Sequence, residues 1–266
     1  MTNLELDKLS LVAAQATLNA GKAILEVYYN EETQVEIKGD DSPLTQADTR
    51  GHLAIMELLN PTGIPVLSEE GKHLPFEERK SWDTLWVVDP LDGTKEFIKR
   101  NGEFTVNIAL VQNGSPVLGV VYVPVTGELY MGVKQYGALK LNIGASATIS
   151  ADDLQKGQQL PVKIERPFTA VGSRSHMNEE TENFLEQYRE KYGRVEILSK
   201  GSSLKMCMVA EGLADVYPRF APTMEWDTAA GQAVVEAAGF SMIEKESRQP
   251  LQYNKADLLN PHFIVI

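Results

Sequence analysis

The segment Trp86-Val87-Val88-Asp89-Pro90-Leu91-Asp92-Gly93-Thr94 carries the sharpest chemical signal in the chain. The apolar run Leu85 to Val88 is too short for a helix and reads as a strand buried on both faces, delivering Asp89 at its C-terminal end. Pro90 and Gly93 favour a tight turn, so that Asp89 and Asp92 can point to the same side. Gly93-Thr94 opens the next element, whose free backbone N–H groups can bind an anion. Hard carboxylate oxygens beside an anion hole are what Mg²⁺ and a phosphate group require. An isolated Asp-x-x-Asp is most simply a solvated turn; here the buried strand before it and the Pro, Gly and Thr around it point to a site.

Two further acidic residues stand where apolar segments end. Glu69 follows Val66-Leu67-Ser68, and Asp227 follows Trp226 at the start of Thr228-Ala229-Ala230-Gly231. Taken alone, Asp227 reads as a helix N-cap. Taken with Asp89 and Asp92, the four carboxylates form a set that can hold two divalent ions ~4 Å apart, together with backbone carbonyls, water and substrate phosphate.

These residues need a layered α/β frame to meet. Residues 4 to 29 repeat apolar positions at helical spacing, and residues 45 to 59 form a second helical stretch with Thr45 as its N-cap. Strands are expected at 64–67, 85–88, 104–111, 117–123 and 128–133, the last three as an antiparallel meander joined by Asn-Gly and Pro-Val-Thr-Gly turns. Beyond residue 150 the pattern changes to alternation: strand 169–171, helix 178–192, strand 195–198, helix 202–211, strand 214–217 and a small-residue helix 228–238 stopped by Gly239.

The chain has 266 residues, 43% of them hydrophobic, enough for a substantial core. Its net charge of −12 makes a nucleic-acid polymer a poor partner, whereas a small anion can still bind where cations neutralise it locally. The single cysteine, Cys207, excludes an internal disulfide and sits in an apolar run, reading as a small buried hydrophobe. The four histidines show no zinc-ligand spacing. The N-terminus mixes Glu5, Asp7 and Lys8 into its apolar residues, unlike a signal peptide, and the longest apolar run, Val117 to Val125, is too short to span a bilayer. A cytoplasmic enzyme with no strong membrane signal is the expectation.

With Glu69-Glu70, Asp89-Pro90-Leu91-Asp92-Gly93-Thr94 and Trp226-Asp227-Thr228-Ala229-Ala230-Gly231 in this order and separation, the whole chain resembles the magnesium-dependent, lithium-sensitive inositol monophosphatase superfamily. Thr94-Lys95-Glu96-Phe97, where inositol monophosphatases usually carry Thr-Asn-Phe, is similar to the bacterial 3'(2'),5'-bisphosphate nucleotidases within it. Asp41-Ser42-Pro43-Leu44-Thr45, Ser173-Arg174-Ser175-His176, Gly201-Ser202-Ser203-Leu204-Lys205 and Tyr217-Pro218-Arg219-Phe220 support the same branch.

The resemblance implies a five-layer αβαβα sandwich of the inositol monophosphatase and fructose-1,6-bisphosphatase type, formed by residues 1–266 as one phosphatase fold. Its half 1–150 would bind metal and its half 151–266 would choose substrate. It implies two or three Mg²⁺ ions held by Glu69, Asp89, Asp92, Asp227 and the carbonyl of Leu91. Thr94, hydrogen-bonded to Asp48, would take the proton of an attacking water, and the Gly93 and Thr94 amides would hold phosphate oxygens. The implied reaction converts adenosine 3',5'-bisphosphate to AMP and phosphate, extends to 3'-phosphoadenosine 5'-phosphosulfate, and clears a by-product of sulfate assimilation. His176, Lys205 and Arg219 are candidates for the adenine and the 5'-phosphate, with Ser173, Ser175, Gly201 and Ser203 adding hydrogen bonds. The rival reading is an inositol monophosphatase or another sugar-phosphate phosphatase with the same metal core. A nucleotide-binding regulatory module with a dead site would not need Glu69, Asp89, Asp92, Thr94 and Asp227 intact.

Overall fold

A computed structural model describes residues 2–29, 35–37, 43–72, 74–172 and 178–266. In chain order the elements are α1 (Asn3–Tyr29), β1 (Val35–Ile37), β2 (Pro43–Thr45), α2 (Gln46–Leu59), β3 (Val66–Ser68), α3 (Phe76–Arg79), β4 (Thr84–Asp92), α4 (Thr94–Ile98), β5 (Thr105–Gln112), β6 (Ser115–Val123), β7 (Glu128–Val133) and β8 (Gly137–Asn142). There follow α5 (Ala151–Gln155), β9 (Gln158–Leu160), β10 (Thr169–Gly172), α6 (Glu179–Tyr192), β11 (Glu196–Ser199), α7 (Leu204–Glu211), β12 (Tyr217–Arg219), α8 (Glu225–Ala237), β13 (Met242–Glu244) and β14 (Phe263–Val265).

The main sheet has seven strands in the order β3-β4-β5-β6-β7-β8-β9. Only the β3–β4 pair is parallel; the rest is the expected meander, lengthened by β8 and β9. Both faces are covered, which is why the strands read as continuous apolar runs. Along β4, Leu85 and Val87 enter one core, and Trp86 and Val88 enter the other. Along β5, Ala109 and Val111 alternate in the same way with Ile108 and Leu110.

The first core lies under α1 and α2. The second lies under α7 and α8, which separate the main sheet from a smaller one. That smaller sheet joins the parallel pair β10–β11, through an Ala170–Val216 bridge, to the antiparallel set β12-β14-β13. Helix α6 closes the far side, burying Leu185 against Ala170, Val216, Phe220 and Ile264. The five layers αβαβα agree with the expected architecture.

Helix α8 lies unusually close to the sheet. A Cβ on Gly119 would stand 2.3 Å from the Ala230 carbonyl oxygen, and one on Gly132 would stand 2.5 Å from Val234 Cα. Both obstacles are backbone, which cannot rotate away. Gly132→Val is therefore expected to push α8 off the sheet at a cost of about 1–3 kcal/mol, the usual range for overpacking. Equilibrium unfolding in urea checks this, and an unchanged midpoint would contradict the close-packing account.

Three local expectations are corrected. The segment after Val88 is not a tight turn ending a strand: β4 continues to Asp92 through a register shift. Asp227 is not an N-cap, because α8 begins at Glu225 and Asp227 is its third residue. The predicted strand 214–217 is observed at Tyr217–Arg219, with Val216 contributing only the bridge. Cys207 is buried in the second core as anticipated, and burial pushes its thiol pKa up.

Candidate active site

Asp89 and Asp92 are three residues apart, so in a regular strand they would face opposite sides of the sheet. Opposite them on β5, Asp89 pairs with Asn107 and Asp92 with Thr105. Three steps on β4 thus match two on β5, an inserted residue that makes a bulge and reverses the alternation. Pro90, which has no N–H to give the ladder, is tolerated there. Leu91 accordingly enters the core under α1 and α2, although by uninterrupted alternation it would face α8. Both aspartates are thereby turned toward α8.

Helix α8 supplies the third group. One oxygen from each of Asp89, Asp92 and Asp227 lies within 4.8 Å of the others. Each carboxylate is held through one oxygen. Asp89 Oδ1 accepts from the Leu91 amide at 3.0 Å, Asp92 Oδ2 lies 2.8 Å from Ser203 Oγ, and Asp227 Oδ2 accepts from the Met224 amide at 2.7 Å.

The electrostatics of this arrangement call for a cation. Asp89 is 1% exposed, and its Oδ2 is buried with no hydrogen-bond partner among the described residues. Burial first, then the charges of Glu69, Asp92, Asp227 and Asp48, hold its carboxyl well above the usual range. Burial and Asp92 push Asp227 up to about 8, against the Met224 amide, which lowers it. Buried anions this close are tolerated only when neutralised. A bare, buried carboxylate oxygen among hard oxygen donors fits Mg²⁺, so the residues present suit the expected cation.

Asp48, in the first turn of α2, is buried within electrostatic reach of Asp89. Glu69 follows β3 directly, and its amide bonds to the Val88 carbonyl at 3.1 Å, which brings it alongside β4. Gly93 has φ 95°, and a Cβ there would stand 2.1 Å from Ser202 Oγ, so only glycine permits this approach. Thr94 is the first residue of α4.

A cavity of about 590 Å³ opens beside the aspartates. Among the expected residues it is lined by Asp92, Asp227, Gly93, Gly201, Ser203, Lys205 and Arg219. Ser173, Ser175 and His176 lie outside the described residues. Lys205 is 8% exposed, has no salt bridge or hydrogen bond among the described residues, and its ammonium lies 6.0 Å from the Tyr217 ring centre. Burial pushes its pKa down to about 8. Arg219 donates to the Pro222 carbonyl at 3.1 Å, while its Nε is buried without a partner.

Sequence reasoning did not assign Lys95, Lys99, Lys200, Tyr217, Thr223 and Phe263, which also line this cavity. The helical spacing of Lys95 and Lys99 was a usable signal. Phe263 had none, since it reaches the cavity from the last strand.

This fold and this carboxylate cluster define a class. The sequence profile of the inositol monophosphatase family matches residues 5–262, and the chain belongs to that family. Among curated proteins, it is 45% identical to the 3'(2'),5'-bisphosphate nucleotidase CysQ of Escherichia coli K12, over 94% of this chain and 96% of that protein. It is 33% identical to CysQ of Haemophilus influenzae, over 91% and 87% of the two chains. Among solved structures, CysQ from Bacteroides thetaiotaomicron superposes with a TM-score of 0.91 at 52% identity, covering 99% of this chain and 98% of that one. An inositol monophosphatase from Zymomonas mobilis, 24% identical with a TM-score of 0.73, shares the fold.

Proposed function

We propose that this chain is a Mg²⁺-dependent 3'(2'),5'-bisphosphate nucleotidase that converts adenosine 3',5'-bisphosphate to AMP and phosphate. One observation carries the reading furthest. A cluster of three aspartates, one of them buried, opens through Asp92 and Asp227 into a cavity also lined by a buried lysine with no salt bridge or hydrogen bond among the described residues and by an arginine with a free buried N–H. A substrate with two phosphates suits that polarity, one phosphate at the carboxylates through a cation and one at the lysine and arginine. The nucleotidase relatives support the same substrate.

Glu69, Asp89, Asp92, Asp227 and the Leu91 carbonyl would hold the ions. When bound, Mg²⁺ supplies Lewis acidity and lowers the pKa of coordinated water. The Gly93 and Thr94 amides donate to the scissile phosphate, and the Thr94 hydroxyl, with Asp48, takes the proton of the attacking water. No covalent intermediate on the chain is needed. Lys205 and Arg219 neutralise the second phosphate, so residues 151–266 choose the substrate while residues 1–150 supply most of the cation ligands. The same site accommodates 3'-phosphoadenosine 5'-phosphosulfate, whose 5' group is also anionic.

Phosphate release from adenosine 3',5'-bisphosphate and from inositol 1-phosphate, each with Mg²⁺ and with EDTA, tests the reading. Fast, EDTA-sensitive release from the bisphosphate is expected. Preference for inositol phosphate would overturn the substrate assignment and keep the metal site. Arg219→Ala is expected to raise KM for the bisphosphate about 10–100-fold, the loss of one charged hydrogen bond, and to leave inositol phosphate nearly unchanged. Equal loss on both substrates would count against a role in the second phosphate.

A further inference from the structure

The three clustered aspartates are held in place differently. Asp89 and Asp227 are each fixed by a backbone amide within three residues, so their own strand or helix orients them. Among the described residues Asp92 is not. Its Oδ2 is held by Ser203 Oγ at 2.8 Å, a residue 111 positions away in sequence, with the Thr105 hydroxyl farther off at 3.5 Å. Ser203 Oγ also lies 2.9 Å from the Asp227 carbonyl oxygen and accepts from the Asn107 amide at 2.9 Å. A hydroxyl with one proton is thus surrounded by a carboxylate, a carbonyl and an amide N–H, and its hydrogen-bonding capacity is used inside the protein.

The chain around Ser203 is built to hold it there. Ser202, at φ 48°, points its hydroxyl between the backbone carbonyls of Asp92 and Glu103, at 2.8 and 2.7 Å. The Gly201 amide donates to Glu103 Oε2 at 3.0 Å. Residues 201–203 are therefore fastened to the end of β4 and to Glu103, just before β5. Ser203 is 2% exposed, and Asn107, its donor, is paired across the ladder with Asp89.

We propose that Ser203 is a positioning residue of the cation site, setting the Asp92–Asp227 separation, and is not a ligand of the substrate. The proposal rests on the reading of the aspartates as cation ligands. Groups that orient metal ligands typically contribute 10–100-fold to metal affinity.

Titration of the full-length protein with Mn²⁺, read by electron paramagnetic resonance of the free ion, tests this without turnover. Ser203→Ala is expected to weaken Mn²⁺ binding about 10–100-fold and to shift Mg²⁺ activation to correspondingly higher concentration, with KM for the bisphosphate at saturating Mg²⁺ little changed. Ser203→Cys keeps the volume but is a weak donor, and is expected to shift binding in the same direction; Ser203→Thr, which keeps the hydroxyl, is expected to recover it. Wild-type Mn²⁺ affinity in both Ser203→Ala and Ser203→Cys, with a raised KM, would overturn the proposal and make Ser203 a substrate contact. A wild-type protein that binds no Mn²⁺ would overturn the cation reading itself.

Discussion

Asp92→Asn is expected to lower kcat on adenosine 3',5'-bisphosphate by about 10³-fold or more at saturating Mg²⁺, equivalent to ~4 kcal/mol of transition-state stabilisation. Asp92 stands between the cluster and the cavity, contributing to both. Asparagine keeps the shape and can still face Ser203, but it offers a neutral oxygen in place of a charged one. The fold is expected to survive, because the substitution removes one of the charges that raise the pKa of both Asp89 and Asp227. Melting in EDTA should therefore show equal or higher Tm for the variant. A variant with a near-normal rate at saturating Mg²⁺ would remove Asp92 from the site.

The second large effect concerns the cation-free protein. Asp89 and Asp227 have folded-state pKa values above those of an unfolded chain, so folding favours their protonated forms. Their contribution to stability is fully present below the unfolded value near 4 and is lost as pH rises toward the folded value, about 8 for Asp227. In EDTA, Tm is expected to fall by on the order of 5–10 °C between about pH 5 and pH 8.5. Glu236, whose carboxyl burial also raises, acts in the same direction; the other shifted groups leave that window to the cluster or oppose it. Glu128, whose pKa hydrogen bonds and the Lys140 charge lower despite burial, titrates below it, and Lys205 adds stability only above about pH 8. His52, lowered by burial, works in the opposite direction below about pH 6.5. Millimolar Mg²⁺ should restore Tm by binding the ionised cluster in the folded state alone. A Tm in EDTA that is flat with pH, or one that Mg²⁺ leaves unmoved at pH 8.5, would contradict the electrostatic account.

Much of the site was legible because its residues sit at the ends of elements that local sequence specifies. The apolar run before Asp89 required a strand, and small residues after Asp227 marked a helix. Gly93 stood out as a glycine beside the acidic pair, but what requires it, φ 95° and Ser202 Oγ 2.1 Å from where a Cβ would stand, comes from distant chain. The sequence thus determined the layered α/β class, three aspartates that the fold clusters and, through its resemblance, the family, which the matched profile bears out.

Tertiary structure decided what depends on register and on distant chain. A bulge is an extra residue counted against a partner strand, and no property of Asp89-Pro90-Leu91-Asp92 alone states what β5 places opposite. Only the pairing with Asn107 and Thr105 shows both aspartates turned to one face. The same holds for Ser203, which local sequence offers as a hydroxyl near a helix start. Its role is set by Asp92, 111 residues earlier, and by the carbonyl of Asp227, brought together by close packing of α8 on the sheet. Local patterns fix which groups can do the chemistry; contacts across the chain fix the ångström-scale separations on which cation affinity depends.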